Sequence, residues 1–323
     1  MAWLVTGGAG YIGSHVVRAF RDEQMETVVI DDLSSGHASF VPDGTPFYQG
    51  SILDEDLLRR VFSESAIEGV VHVAGYKYAG VSVQRPLHTF EQNVGGTLCV
   101  LRAMREAGVK SMIFSSSAAV YGTPDGDLVV EDSPKKPESP YGESKLVAEW
   151  LIRDEAVASD VRYTCLRYFN VVGSGDPSLP DTSPHNLFPL IFAALDRGTT
   201  PRINGDDYST PDGTCVRDYV HVSDLALSHV AAAKRALRGE KLEAAYNLGS
   251  GTGASLREIM ATVSAVTGTT FTPVIGPRRD GDPAQIVASG DLARRDLNWE
   301  MRHSLADMVR SAWQARGALP EEI

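Results

Sequence analysis

Cysteine, positive charge and long apolar runs are all scarce in this chain of 323 residues. The three cysteines, Cys99, Cys165 and Cys215, are odd in number and far apart, which excludes a disulfide framework and a zinc pattern and predicts free thiols in a reducing cytoplasm. The eight histidines show neither H-x-x-x-H nor paired-carboxylate spacing, so no metal site is expected. Thirty basic against 42 acidic residues give a formal charge of -12. Nucleic acid needs a basic face, so it is excluded as a partner, and any anionic ligand must be held by local arginines and lysines. No apolar run reaches membrane-spanning length, and Met1 to Thr6 enter a strand directly, without a charged leader or cleavage site. A cytoplasmic protein with no membrane partner is the expectation. There are no internal repeats and no low-complexity tracts.

What is present reads as an ordinary globular composition, 43% hydrophobic and 22% charged, long enough for two domains or one large one with an appendage. The most telling stretch comes first. Trp3 to Thr6 is a short apolar run that predicts a buried parallel strand. It ends in Gly7-Gly8-Ala9-Gly10-Tyr11-Ile12-Gly13, with helical spacing from Ile12 through Val16, Ala19 and Phe20. Glycines at this spacing allow a tight turn, close approach of backbone to a diphosphate, and packing of helix on strand. The helix N-terminus then faces the diphosphate. A second strand, Thr27 to Ile30, delivers Asp31 and Asp32 eighteen and nineteen residues after Gly13. An acid there accepts from a ribose 2′-hydroxyl and repels a 2′-phosphate, so the cofactor predicted is NAD, not NADP.

Further strand–helix units follow, including a strand from Gly69 to Val73 followed by Ala74-Gly75-Tyr76-Lys77, a helix from about Pro86 to Ala107 that carries Asn93, and strands at Ser111 to Ser116 and Tyr163 to Asn170. Composition changes at Gly173-Ser174-Gly175-Asp176-Pro177, where the domain boundary is placed. Beyond it a strand is expected over Val216 to Val222, with Ser223 capping the next helix. The fold class is therefore α/β: a doubly wound (Rossmann) parallel sheet in residues 1–172, and a smaller mixed α/β substrate domain in 173–323, some segments of which return to the first. Arg217 and Arg279 are the candidate diphosphate partners.

A second motif carries chemistry. In Tyr141-Gly142-Glu143-Ser144-Lys145 a tyrosine and a lysine four apart share one helix face. A free tyrosine, with a pKa of about 10, is too weakly ionised to act as a base at neutral pH. A neighbouring ammonium favours the phenolate, and a bound cationic nicotinamide ring adds to that effect. Bringing the pKa to about 7 needs roughly 4 kcal/mol of differential stabilisation. The serine run Ser115-Ser116-Ser117 precedes this helix and offers a hydroxyl beside it.

These motifs resemble the extended short-chain dehydrogenase/reductases and, within them, the UDP-glucose (UDP-galactose) 4-epimerases. The segments that carry the likeness are GGAGYIGSH (Gly7 to His15), SSSAAVYG (Ser115 to Gly122), SPYGESK (Ser139 to Lys145), LRYFN (Leu166 to Asn170), the acidic insert through VRDYVHV (Gly205 to Val222), YNLGSG (Tyr246 to Gly251) and RRDGDP (Arg278 to Pro283). The resemblance implies tightly bound NAD, a UDP-sugar substrate and a homodimer paired through the helices at about Pro86 to Ala107 and Tyr141 to Ala158. It makes Tyr141 the base, Lys145 its tuner and holder of the nicotinamide ribose, and Ser117 the partner of the sugar 4-hydroxyl. The cofactor set it implies includes Gly7, Gly10, Tyr11, Ile12, Gly13, Asp31 and Asp32, then Ser51, Ile52, Val73, Ala74, Lys77, Asn93, Ser115 and Phe169. On the sugar-nucleotide side it points to Lys77, Asn170, Asn186, Leu187, Asn204, Arg217, Arg279, Asp282 and Ile286.

Three positions depart from the family pattern: Ser51 stands for an aspartate, Asn204 for an aromatic, and Ile286 where a pocket-gating residue belongs. The reaction implied is C4 epimerisation of UDP-glucose and UDP-galactose through a 4-keto sugar. The alternatives are a glucuronate or N-acetylhexosamine substrate, or an NAD-binding regulator without catalysis. Dehydratase relatives carry Asp-Glu after the catalytic hydroxyl; Ala118 and Ala119 stand there and disfavour elimination.

Overall fold

The computed structural model describes residues 1–124, 126, 128–278 and 282–318. Strand and helix alternate from the start: β1 (Ala2–Thr6), α1 (Tyr11–Asp22), β2 (Glu26–Asp31), β3 (Phe47–Gln49), α2 (Glu55–Glu64), β4 (Ile67–His72), a short α3 (Ala79–Ser82), α4 (Pro86–Phe90), α5 (Gly96–Ala107), β5 (Ser111–Ser115), α6 (Pro140–Ser159) and β6 (Arg162–Tyr168). Then come β7 (Asn170–Val172), α7 (Leu187–Asp196), β8 (Arg202–Asn204), β9 (Val216–Arg217), β10 (Tyr219–His221), α8 (Val222–Leu237), β11 (Ala245–Leu248), β12 (Ala254–Ser255), α9 (Leu256–Thr267), β13 (Val274–Gly276), β14 (Gln285–Ile286), α10 (Asp291–Leu297) and α11 (Leu305–Ala315). Among the described residues no helix is long and apolar enough to cross a membrane.

The main sheet has seven strands in the order β11-β6-β5-β4-β1-β2-β3. Every neighbouring pair in it is parallel. Covered on both faces, its strands can be apolar throughout, and their alternating side chains feed two cores. Trp3, Val5 and Val29 pack with Val16 and Phe20 of α1 and with Leu225 and Val230 of α8. Leu4, Val28 and Ile30 face the other way, onto Leu58 of α2, Val100 and Met104 of α5, and Ile152 of α6. The strand order reverses between β1 and β4, and ligands of open α/β sheets bind at such a switch point, beyond the carboxyl ends of the strands. A third core, around Phe188, Phe192, Ile203, Ile259 and Val309, belongs to the smaller part.

Segments beyond residue 173 pack on the first part: α8 packs on α1, and β11 pairs with β6 as an edge of the main sheet. Three local expectations are corrected. The single strand expected over Val216 to Val222 is two, β9 and β10, separated by Asp218, whose buried carboxylate accepts from the backbone N–H groups of Ala288 (2.9 Å) and Ser250 (2.6 Å). The cap of α8 is His221, whose Nδ1 accepts from the Ser223 N–H at 3.0 Å, in place of Ser223 itself. The helix expected over Pro86 to Ala107 is continuous but contains a wider π turn, Glu91–Gly95, which carries Asn93. Such turns insert one extra residue into the helix and re-aim its side chains.

Candidate active site

The switch point opens into a cleft of about 830 Å³. Its floor is the turn between β1 and α1. Gly7 has φ +72°, and a Cβ there would stand 2.8 Å from the Ala74 backbone nitrogen. A Cβ on Gly13 would come within 2.0 Å of the Gly7 carbonyl. Only glycine lets this turn close. Gly10 begins α1 with no side-chain cap and no acid in the first turn, leaving the helix N-terminus available to an anion. Gly7, Gly10, Tyr11, Ile12 and Gly13 all line the cleft.

At the end of β2, Asp31 Oδ2 accepts the Ala9 N–H at 2.9 Å and Oδ1 the Leu33 N–H at 2.8 Å. Burial raises its pKa from the ordinary value, and those two donors oppose the rise. Asp31 and Asp32 both line the cleft, as do Ile52, Val73, Ala74 and Lys77. A glycine cradle with an uncapped helix start and an acid at the second strand fits a dinucleotide that carries a free ribose hydroxyl.

Farther along the cleft stand Tyr141 and Lys145 of α6 with Phe169 and Asn170. Helix α6 begins where Ser139 caps Gly142 N–H at 3.2 Å and Pro140 takes the first turn. Tyr141 hydrogen-bonds Ser117, while the Lys145 ammonium donates to the Ser115 carbonyl at 3.0 Å. Burial lowers the Lys145 pKa to about 8, with Glu149 opposing. The expectation that Lys145 pulls the Tyr141 phenol down is not met in the chain alone. Burial raises Tyr141 above its ordinary value, with the Ser117 hydrogen bond as the opposing influence.

On the opposite wall Asn186, at the start of α7, donates its amide to Asp181 Oδ2 at 2.7 Å, and Leu187 lies beside it. Asp181 has no motif to announce it, yet it lines the cleft and opposes the burial-driven fall in the Lys77 pKa. Tyr168 lies within the LRYFN segment, which by itself gives it no role. It lines the cleft next to the pair and hydrogen-bonds Ser115.

Several expected contacts are not on the cleft wall. Ser51 spends its hydroxyl on the Leu53 N–H at 3.2 Å, and Gly50 and Ile52 form the lining there instead. Asn93 is 3% exposed and its amide is committed to protein groups. Ser115 and Ser117 sit behind Tyr168 and Tyr141 through the hydrogen bonds just given. Asn204 ends β8, where it pairs with Gly276. Arg217 and Asp282 face each other at 3.3 Å, and Ile286 of β14 packs against the cluster that contains Ala118 and Phe169. Arg279 lies outside the described residues.

Fold and site define a dinucleotide-binding α/β protein with a tyrosine–lysine pair in its cleft. Residues 3–249 match the NAD dependent epimerase/dehydratase family. A UDP-glucose 4-epimerase of Streptomyces lividans is 42% identical over 99% of this chain and 97% of its own. The structure of UDP-glucose 4-epimerase from Brucella ovis in complex with NAD superposes with a TM-score of 0.93 at 39% identity, covering 98% of both chains. That of the enzyme from Stenotrophomonas maltophila, with bound NAD and formylated UDP-arabinopyranose, gives 0.93 at 38% identity over 98% of each chain. The chain belongs to the NAD dependent epimerase/dehydratase family.

Proposed function

We propose that the protein interconverts UDP-glucose and UDP-galactose by epimerisation at C4. The observation that carries this reading is the placement of Tyr141 and Lys145 in one cleft with a glycine cradle and Asp31. Bound there, NAD supplies an oxidised ring that accepts the C4 hydride and returns it to the opposite face of the 4-keto sugar. The chain's own work is to hold and move the proton. Tyr141 accepts it from the 4-hydroxyl, directly or through Ser117, and Lys145 provides the positive charge that favours the phenolate. Gly7, Gly10, Tyr11, Ile12 and Gly13 would hold the diphosphate of NAD and Asp31 its adenosine ribose, while Lys77, Asn170, Asn186 and Leu187 would face the UDP-sugar. Arg217, Asp282, Asn204 and Ile286 are carried to the UDP-sugar by the family resemblance alone.

Residues 1–172 form the cofactor part in this reading, joined by α8 and β11. The protein pairs as a homodimer across α4, α5 and α6, where Leu87 (87% exposed), Trp150 (49%) and Val157 (86%) present apolar surface. Cys99, Cys165 and Cys215, none in a disulfide among the described residues, suit a reducing cytoplasm. The experiment is to denature the purified protein, examine the released nucleotide, and incubate the native enzyme with a panel of UDP-sugars. Released NAD and conversion of UDP-glucose to UDP-galactose are expected. A cofactor-free protein active only with NADP defeats the assignment of Asp31, and a monomer mass by light scattering defeats the dimer.

A further inference from the structure

Tyr141, Lys145 and Glu149 stand at i, i+4 and i+8 on one face of α6. The three consecutive serines after β5 meet them one by one. Ser117 hydrogen-bonds Tyr141, the Ser115 carbonyl accepts from Lys145 Nζ at 3.0 Å, and the Ser116 hydroxyl donates to Glu149 Oε1 at 2.5 Å. Glu149 is also gripped by Arg167, whose Nε donates to Oε1 at 2.9 Å and Nη2 to Oε2 at 2.6 Å. Both side chains are 7% exposed. Arg167 Nη1 donates in turn to the Tyr121 hydroxyl at 2.8 Å, and Tyr121 to Asn247 Oδ1 at 2.7 Å. Hydride and proton transfer do not by themselves call for a carboxylate at residue 149.

We infer that Glu149 is a positioning residue for the tyrosine–lysine pair, locking α6 in register with the serine run and keeping a negative charge one helical turn behind the Lys145 ammonium. The inference rests on the roles proposed for Tyr141 and Lys145. Around that ammonium are Phe114 and Ser115 on β5, His72 on β4, Cys165 on β6 and the backbone of Gly75 after β4. Burial makes His72 a neutral imidazole, its pKa lowered to about 3, and keeps the Cys165 thiol protonated. Among the described groups, Glu149 is therefore the anion that faces Lys145.

The sign of its influence follows. Burial favours neutral lysine and Glu149 resists, leaving the pKa at about 8. Activity that needs the ammonium is present below that value and lost as pH rises through it. Removing the carboxylate moves the loss to lower pH.

The test is kcat of the NAD-loaded enzyme against pH, from about 6 to about 10, for wild type, Glu149→Gln, Glu149→Asp and the double variant Glu149→Gln/Arg167→Gln. A close opposite charge is worth about one to three pK units, so the alkaline midpoint should fall by about one unit or more in Glu149→Gln and return toward wild type in Glu149→Asp. The double variant removes the stranded arginine charge, carries the test should Glu149→Gln not fold, and should show a downward shift of its own. A lower kcat with an unmoved midpoint in Glu149→Gln, or in the double variant where the single one does not fold, makes Glu149 merely a partner of Arg167 and overturns the inference. Tyr141→Phe separates the two levels. If it stays fully active, the assignment of the pair has failed. If it is inactive while the Glu149 midpoints do not move, only the inference has.

Discussion

Asn93 and Ser144 are joined by a 2.8 Å hydrogen bond from the Asn93 amide to the Ser144 hydroxyl. Asn93 Oδ1 accepts the Tyr76 N–H at 2.7 Å, and Nδ2 also reaches the Tyr76 carbonyl at 3.1 Å. One side chain thus ties the cleft-lining loop after β4 to the residue before Lys145. The π turn makes this possible by aiming Asn93 inward, with Thr97 Oγ1 donating to the Asn93 carbonyl at 2.6 Å. Asn93 therefore acts on the site through protein groups and not from the cleft wall.

Asn93→Ala strands buried partners on both sides. Each unsatisfied buried group costs about 1–3 kcal/mol, so a loss of stability on that scale is expected from urea unfolding. NAD retention should weaken with it, because the loop at Gly75 and Tyr76 is no longer pinned. Unchanged unfolding midpoints and full retention would show that the clamp has no energetic weight.

Tyr141→Phe removes the ionisable oxygen and little else. The expected loss in kcat is about 10²–10⁴-fold, with bound NAD retained, measured by steady-state and single-turnover assays. Lys145→Ala should be comparably damaging and should move the pH optimum upward, since burial already raises the Tyr141 pKa and the stabilising cation is then gone. A wild-type rate in Tyr141→Phe would falsify the assigned base.

Acid should unfold this protein through its buried histidines. Burial lowers His15, His221 and His229 to about 4 and His72 to about 3. Unfolded, each titrates near 6.5, so between that value and about 4 the unfolded chain binds more protons than the folded one. Stability is therefore complete above 6.5 and falls as the pH drops through this window. At about 1.4 kcal/mol per unit, four such groups together cost on the order of 10 kcal/mol by the bottom of that window. Urea midpoints at neutral pH and at two acidic values measure the slope, and a flat profile down to about 4.5 contradicts it.

What was legible in the sequence was what a short spacing can encode. The glycine turn, Asp31 and the Tyr141–Lys145 pair need only strand and helix geometry, and the cleft contains all of them. Contacts between distant segments were not legible. Ser116, Glu149 and Arg167 meet across 33 and 18 residues of chain, and Asp181 reaches the cleft from a loop with no pattern. Which segment returns to the main sheet was equally hidden, because the edge position of β11 next to β6 is fixed by the pairing of Ala245 to Leu248 with Cys165 to Tyr168 and not by composition. Nothing in the residue types announces that the Ser51 hydroxyl and the Asn93 amide also bond protein groups, the Leu53 N–H and Tyr76 with Ser144.

The sugar preference follows from where charge sits in the cleft. UDP-glucuronate carries a carboxylate where UDP-glucose has a hydroxymethyl, and an unpartnered buried charge costs several kcal/mol. Of the cations on the cleft wall, Lys145 is held by the Ser115 carbonyl, Lys77 already answers to Asp181 and Asp31, and Arg316 pairs with Asp196, which leaves Arg85. The loop from Gly173 to Pro184 adds Asp181, a further anion, to the cleft wall. For 2-acetamido sugars, Ile286, packed against the cluster that contains Phe169, should allow at most partial acceptance. Values of kcat/KM are to be compared for the glucose, glucuronate and acetamido substrates. UDP-glucose should lead UDP-glucuronate by tenfold or more, about 1.4 kcal/mol in transition-state binding. A preference of that size in the other direction would sink the UDP-glucose assignment and make the enzyme a uronate epimerase.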